Sequence, residues 1–126
     1  MEYELNPRTR IGHVHLTVAN LDRAIKFYRD LMGFQVTARF GKDAVFLSSG
    51  NYHHHIGLNT WQGAGAPPPP ADAVGLRHFT VDFPNQQALD EVIARVDTAG
   101  IASNKIAEGL LLYDPSQNGV VLRVAP

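Results

Sequence analysis

The sequence predicts an α+β fold in which two βαβββ modules pair into a curved mixed sheet around a shared cleft. Three observations carry this. The chain runs twice through the pattern strand, helix, strand, strand, strand. The two halves align: "HVHLTVANLDRAIKFY" falls on "HFTVDFPNQQALDEVI" when His13 is set on His78, 65 positions on, and Asn20 then falls on Asn85. A proline-rich stretch separates them. Self-similarity at one fixed offset marks a repeated structural unit. Two such units in one chain pack about a pseudo-twofold axis, so equivalent positions converge on one cleft.

The elements follow in order. "IGHVHLTVA" (11–19) alternates and is rich in β-branched residues, the pattern of a strand. In "NLDRAIKFYRDLMG" (20–33), Asn20 caps a helix, and Leu21, Ala24, Ile25, Tyr28, Leu31 and Met32 form its apolar face. Gly33 stops it. "FQVTARF" (34–40), "AVFLSS" (44–49) and "HHHIGLNT" (53–60) are three strands separated by turns at Gly41–Lys42 and Gly50–Asn51. This completes module one, residues 11–60.

"WQGAGAPPPPADAVG" (61–75) is the linker, because four consecutive prolines fit neither a helix nor a central strand. Module two spans 76–124. "LRHFTVDF" is its first strand, and Asn85 caps a helix over 84–100 with Ala88, Leu89, Val92, Ile93 and Val96 inward. "IASNKI", "GLLLYD" and "GVVLRV" are its remaining strands. Phe46, Phe79 and Phe83 lie at alternating strand positions and read as core. The 126 residues therefore form one domain of two modules.

Composition narrows the function. A 44% hydrophobic content supports a buried core, and the net charge of −1 offers no basic footprint for nucleic acid and no basic cluster for a membrane surface. The absence of cysteine excludes disulfides, thiolate metal sites and cysteine nucleophiles. With no apolar leader at the N-terminus and no apolar run of about 18 residues, a soluble, cytoplasmic protein is expected. Half of the six histidines are consecutive, in "NYHHHIGLNTW" (51–61), and read as a metal site, an acid–base device or a polar strand end.

The opening run "GHVHLTVANLDRAIKFYRDLMGF", together with the paired modules, resembles the vicinal oxygen chelate superfamily. That group includes glyoxalase I, bleomycin-resistance proteins, fosfomycin-resistance enzymes and extradiol dioxygenases. "HHHIGLNTW" and "GLRHFTVDF" are most similar to small catechol-2,3-dioxygenase-type members. The resemblance implies a small-molecule ligand, aromatic for that subgroup, a homodimer, and a divalent metal in the cleft. Fe(II) is the first expectation, with Mn(II), Ni(II) and Zn(II) as alternatives.

It also implies roles for particular residues. His13 and His78, at the first-strand positions of the two modules, correspond to metal ligands. His54, two residues before "GL", corresponds to the acid–base histidine. The carboxylate ligand of metal-binding relatives falls in a "DP-x-G-N-x-I-E-L" stretch, which here reads "DPSQNGVVL" (114–122) and puts Val121 at the Glu position. The equivalent position in module one is Gly57, and the Tyr expected before the "DP" turn is Leu111, with Tyr113 as a displaced substitute. Two neutral imidazoles leave a dication largely uncompensated. Three readings stay open: a metal-dependent dioxygenase-like enzyme, a metal-free binding protein of bleomycin-resistance type, and an altered lyase or isomerase using histidine as acid and base.

Strand alternation puts His53 and His55 on one face and His54 on the other. Either His54 faces the cleft as acid–base group, or His55 does so as a third metal ligand. Only a bulge allows both. His15 shares the face of His13, and Trp61 closes the fourth strand. These two and Tyr113 are candidate substrate contacts.

Overall fold

The structure, a computed structural model, describes residues 2–126. Module one comprises β1 (Val14–Thr17), α1 (Leu21–Ile25), which widens into a π-helical turn (Lys26–Leu31), then β2 (Gln35–Phe40), β3 (Ala44–Ser48) and β4 (Ile56–Asn59). Module two repeats this with β5 (Phe79–Phe83), α2 (Gln86–Thr98), β6 (Ser103–Ile106), β7 (Gly109–Tyr113) and β8 (Gly119–Val124). The expected βαβββ order holds in both halves, and so does the cap-on-cap match. The Asn20 side chain accepts the Arg23 N–H and the Asn85 side chain accepts the Ala88 N–H, each satisfying a donor that the first helical turn leaves free.

The strands form two four-stranded sheets, ordered β1-β4-β3-β2 and β5-β8-β7-β6. In each, the first strand pairs parallel with the last and the other neighbours are antiparallel. The repeat extends to register. His15 lies opposite Gly57 in module one, and Thr80 opposite Val121 in module two. The edges β1 and β5 do not join into one continuous sheet.

One face of each sheet is apolar and packs with the helices. Leu16, Val18, Val45, Leu47, Ile56 and Leu58 from module one join Leu112, Val120 and Leu122 from module two in a single core. Phe79 and Phe83 pack against that core as expected. The modules are stitched across it. Tyr28, fully buried on the π turn, stacks on Phe79 with ring centroids 6.4 Å apart, and its hydroxyl donates to Asp114 Oδ2 at 2.8 Å. Burial, then the Asp114 carboxylate and its hydrogen bond, push the Tyr28 phenol well above its usual range, so it stays a donor. Asp114, 1% exposed, also accepts from the Ser116 and Asn118 backbone N–H groups and from Asn118 Nδ2. Asn118 Nδ2 donates as well to the Thr17 carbonyl. Asp114 thus organises the β7–β8 turn and ties it to module one. Among the described residues, no helix is long and apolar enough to cross a membrane.

Candidate functional site

The opposite face of the first sheet carries His15 and a cluster of aromatic rings. Because His15, Gly57 and Phe46 are neighbours in register, they share this open face. Gly57 makes room there: a Cβ at 57 would lie 2.8 Å from His15 Nδ1, so the imidazole lies across the bare backbone. His15 in turn sits 5.2 Å from Trp61, at an interplanar angle of 31°. Trp61 is 66% exposed. Phe46, read from sequence as core, is on the open face and half-buried. Its ring stacks on His54 at 4.1 Å and 21°, and on its other side meets Phe40 at 4.8 Å. The signal for Phe46 was its pairing opposite Gly57, which only the β3–β4 register supplies.

The three consecutive histidines depart from the expected strand. β4 begins at Ile56, so residues 53–55 lie in the preceding bend and do not alternate. Strand parity therefore does not set His54 against His55, and the two reach different surfaces. His54 reaches the open face, stacked on Phe46 and 4.4 Å from the His13 ring. His55 also borders the cleft, but its Nδ1 is engaged by the Ser49 backbone N–H at 3.2 Å and by Ser48 Oγ at 3.1 Å. Accepting from a backbone N–H fixes the ring proton on Nε2. In this arrangement the His55 Nδ1 lone pair is taken up by the β3–β4 turn.

Between the edges β1 and β5 runs a groove of about 820 Å³, lined by His13, His55 and His78 among apolar neighbours such as Ile11, Phe34 and Phe79. The two repeat-equivalent histidines thus border one space, as expected. The carboxylate position does not complete them. Val121 lies beside Thr80 on the His78 side of the second sheet and is 0% exposed. Among the described residues, no group of three His, Asp or Glu converges to hold a metal ion. Tyr113, at the end of β7, is exposed and does not line the groove.

Electrostatics keep part of this face uncharged. The His15 imidazole is held below its usual value by burial first and by the charge of His13 second. His54 is lowered too, by burial and then by His13, His53, His15 and His55 in that order. Crowded imidazoles disfavour one another's protonation. Near neutral pH His15 and His54 therefore present lone pairs and N–H groups rather than positive charge.

The sequence profile of the Glyoxalase/Bleomycin resistance protein/Dioxygenase superfamily matches residues 10–119. The chain belongs to this superfamily. Within the superfamily, it is 45% identical over 108 residues to a catechol-2,3-dioxygenase of Bacillus subtilis, a match covering 85% of this chain and 38% of that protein. It therefore spans well under half of that relative's length. Its fold matches a glyoxalase/dioxygenase from Nostoc punctiforme with a TM-score of 0.71 at 17% identity, over 100% of this chain and 99% of the other. It also matches a lactoylglutathione lyase from Agrobacterium tumefaciens with a TM-score of 0.66 at 23% identity, over 93% and 94% of the two chains. The superfamily fold expected from the paired modules is therefore established. Proteins of this superfamily bind small molecules, which fits a cleft of the size seen here.

Proposed function

We propose that the protein binds a small planar aromatic molecule bearing oxygen substituents, of catechol type, on the open face of module one. The observation that carries this is the continuous layer of rings Phe40, Phe46, His54 and His13, flanked by His15 and Trp61. Offset and tilted rings at 4–5 Å offer flat apolar surface, and neutral imidazoles on the same surface hydrogen-bond to hydroxyl groups. The 45% identity to a catechol-2,3-dioxygenase supports the ligand class. In this reading Phe46 and Trp61 give the aromatic surface, and His13 and His15 take the ligand oxygens. His54, held neutral, accepts a proton from a ligand hydroxyl as a general base.

The Fe(II) implied by the resemblance does not fit the donors this chain supplies. His13 and His78 are present, but the carboxylate position is a buried valine, Gly57 is covered by His15, and His55 is spent on Ser48 and Ser49. Two neutral imidazoles do not offset a dication. We accordingly route no chemical step through a metal.

The test uses Trp61, the single tryptophan, as reporter. Titration with catechol is expected to change its emission saturably in wild type and to raise the unfolding midpoint. Both effects should weaken at least tenfold in His54→Ala and His15→Ala. No saturable response up to millimolar catechol would remove the proposal.

A second reading, metal-dependent oxidative ring opening, is favoured by the same relative and by the shared groove of His13 and His78. It requires a third donor from beyond this chain, such as a second copy in a homodimer. Anaerobic loading with Fe(II), metal analysis, gel filtration and oxygen uptake with catechol decide it. Retention of less than 0.1 equivalent of iron (a chosen threshold of about one tenth of one site) with no uptake would end it.

A further inference from the structure

The segment before β1 turns back on itself. The Thr9 N–H donates to the Asn6 carbonyl at 2.8 Å and the Arg8 N–H to the Asn6 side chain at 2.9 Å, closing a turn over Pro7 and Arg8. Such a turn reverses the chain. Residues 2–5 therefore leave it on a course antiparallel to residues 10–13, although they lie in no strand here. The segment alternates. Tyr3 and Leu5 are apolar yet 85% and 82% exposed, and Glu2 and Glu4 stand between and before them. The edge that it faces is open. β1 ends its sheet, and among the described residues neither Ile11 nor His13 makes a backbone hydrogen bond. Ile11, Gly12 and His13 line the groove between β1 and β5 at this end. We propose that Glu2–Asn6 closes as an added strand on the free edge of β1, a strap over this end of the groove that sets Glu2 beside His13.

Bonds at the two ends of the edge agree on one register. The Val14 N–H donates to the His55 carbonyl, just before β4, so alternation points the backbone groups of His13, Ile11 and Thr9 to the free side. The turn bond uses the Thr9 N–H, which has the same parity. Continued antiparallel, the hydrogen-bonded pairs are Thr9 with Asn6, Ile11 with Glu4 and His13 with Glu2. Arg10 with Leu5 and Gly12 with Tyr3 are the pairs between them. Directly opposed residues share a face. Tyr3 and Leu5 then fall on the face of Val14 and Leu16, which packs on the core, and Glu2 and Glu4 on the face of His13 and His15. A slip of one residue would turn the carboxylates toward the core. Gly12 leaves its side of the edge bare, and a cross-strand aromatic covers such a glycine. Tyr52, whose hydroxyl approaches Gly12, offers Tyr3 an aromatic neighbour there.

The same turn explains why the strap stands open. Pro7 holds a negative φ and Arg8 has no positive one, whereas tight two-residue hairpins take primed turns with positive φ. The present turn splays the strands it joins. Closure is therefore weak and reversible, driven by burial of Tyr3 and Leu5. Closed, the strap adds two carboxylates to a face otherwise built of imidazoles and aromatic rings.

Nuclear magnetic resonance of the ligand-free chain tests the register. Tyr3 and Gly12, and Leu5 and Arg10, are expected to show Hα–Hα contacts, the mark of antiparallel pairs without hydrogen bonds. Amide exchange at Ile11 and His13 should be slowed roughly threefold relative to the double variant Tyr3→Ser/Leu5→Ser. The double variant Pro7→Asn/Arg8→Gly supplies a primed turn and is expected to strengthen both signals. All four substituted residues are exposed, so circular dichroism of each variant should match wild type. Absence of the Tyr3–Gly12 contact in wild type overturns the proposal. So does exchange at Ile11 and His13 that Tyr3→Ser/Leu5→Ser leaves unchanged, or a contact that weakens in Pro7→Asn/Arg8→Gly. In a mixture of differently labelled chains the contacts should stay within one chain; contacts between chains overturn the strap in favour of exchange between copies. No ligand enters these measurements, so failure here leaves the catechol reading intact, and the reverse also holds.

Discussion

Replacing Tyr28 by Phe isolates the bond that ties the modules together. The ring keeps its stack on Phe79 and its place in the core; only the hydroxyl is lost. That hydroxyl donates at 2.8 Å to a carboxylate that is 1% exposed, so solvent cannot replace it. Hydrogen bonds to charged groups contribute about 1.5–3 kcal/mol. Asp114 keeps three other donors, from Ser116 and Asn118, so the charge is not stranded and the loss should stay within that range. With a urea m-value of about 1–3 kcal/mol/M, the midpoint should fall by roughly 1 M at unchanged slope. Equilibrium unfolding followed both by circular dichroism and by Trp61 emission measures this. Asp114→Ala, which removes all four contacts, should cost more than Tyr28→Phe. A Tyr28→Phe loss under about 0.5 kcal/mol would refute the reasoning, because a bond sealed from water at this distance cannot be worth so little.

Three further outcomes are expected. The emission of Trp61 should rise with pH as the neighbouring His15 loses its proton, with a midpoint below the ordinary 6.5 because burial and His13 lower it; a midpoint at or above 6.5, or one unchanged in His15→Gln, counts against this. For folding stability, the unfolded chain binds protons at His15 and His54 more tightly than the folded chain does. Their contribution is therefore intact above about pH 6.5 and lost as pH falls below it; chemical unfolding at pH 7.5 and 5.5 should show the drop, and His54→Gln should reduce it. Val121→Glu puts a carboxylate at a fully buried position, so its melting temperature should fall in chelator and recover with Mn(II) or Zn(II) if Val121 stands where a ligand belongs; no metal-dependent recovery rejects that correspondence.

Much of the architecture was legible because the repeat could be checked against itself. The offset that set His13 on His78 also paired the two Asn caps, and the register bears it out at His15–Gly57 and Thr80–Val121. The site was harder to read for two physical reasons. Parity arguments assume a continuous strand, and the bend over residues 53–55 breaks it, so the face of His54 followed from backbone irregularity rather than residue type. Phe46 reads as core from its alternating strand position. Its face depends on its partner across β3–β4, which sequence alone does not supply. The engagement of His55 likewise depends on Ser48 and Ser49, contacts fixed only once the turn is formed.

Duplicated folds begin with two interchangeable walls, and this one has lost the interchange. Five of the six histidines stand in the first half and only His78 in the second. Where His15 lies over an empty glycine, its counterpart is Thr80 beside a sealed valine. A planar guest on the open face of module one meets stacked rings and imidazoles that the equivalent positions of the second sheet, threonine and valine, do not repeat. The scaffold keeps its near-symmetric backbone, while the side chains give the two halves unlike surfaces.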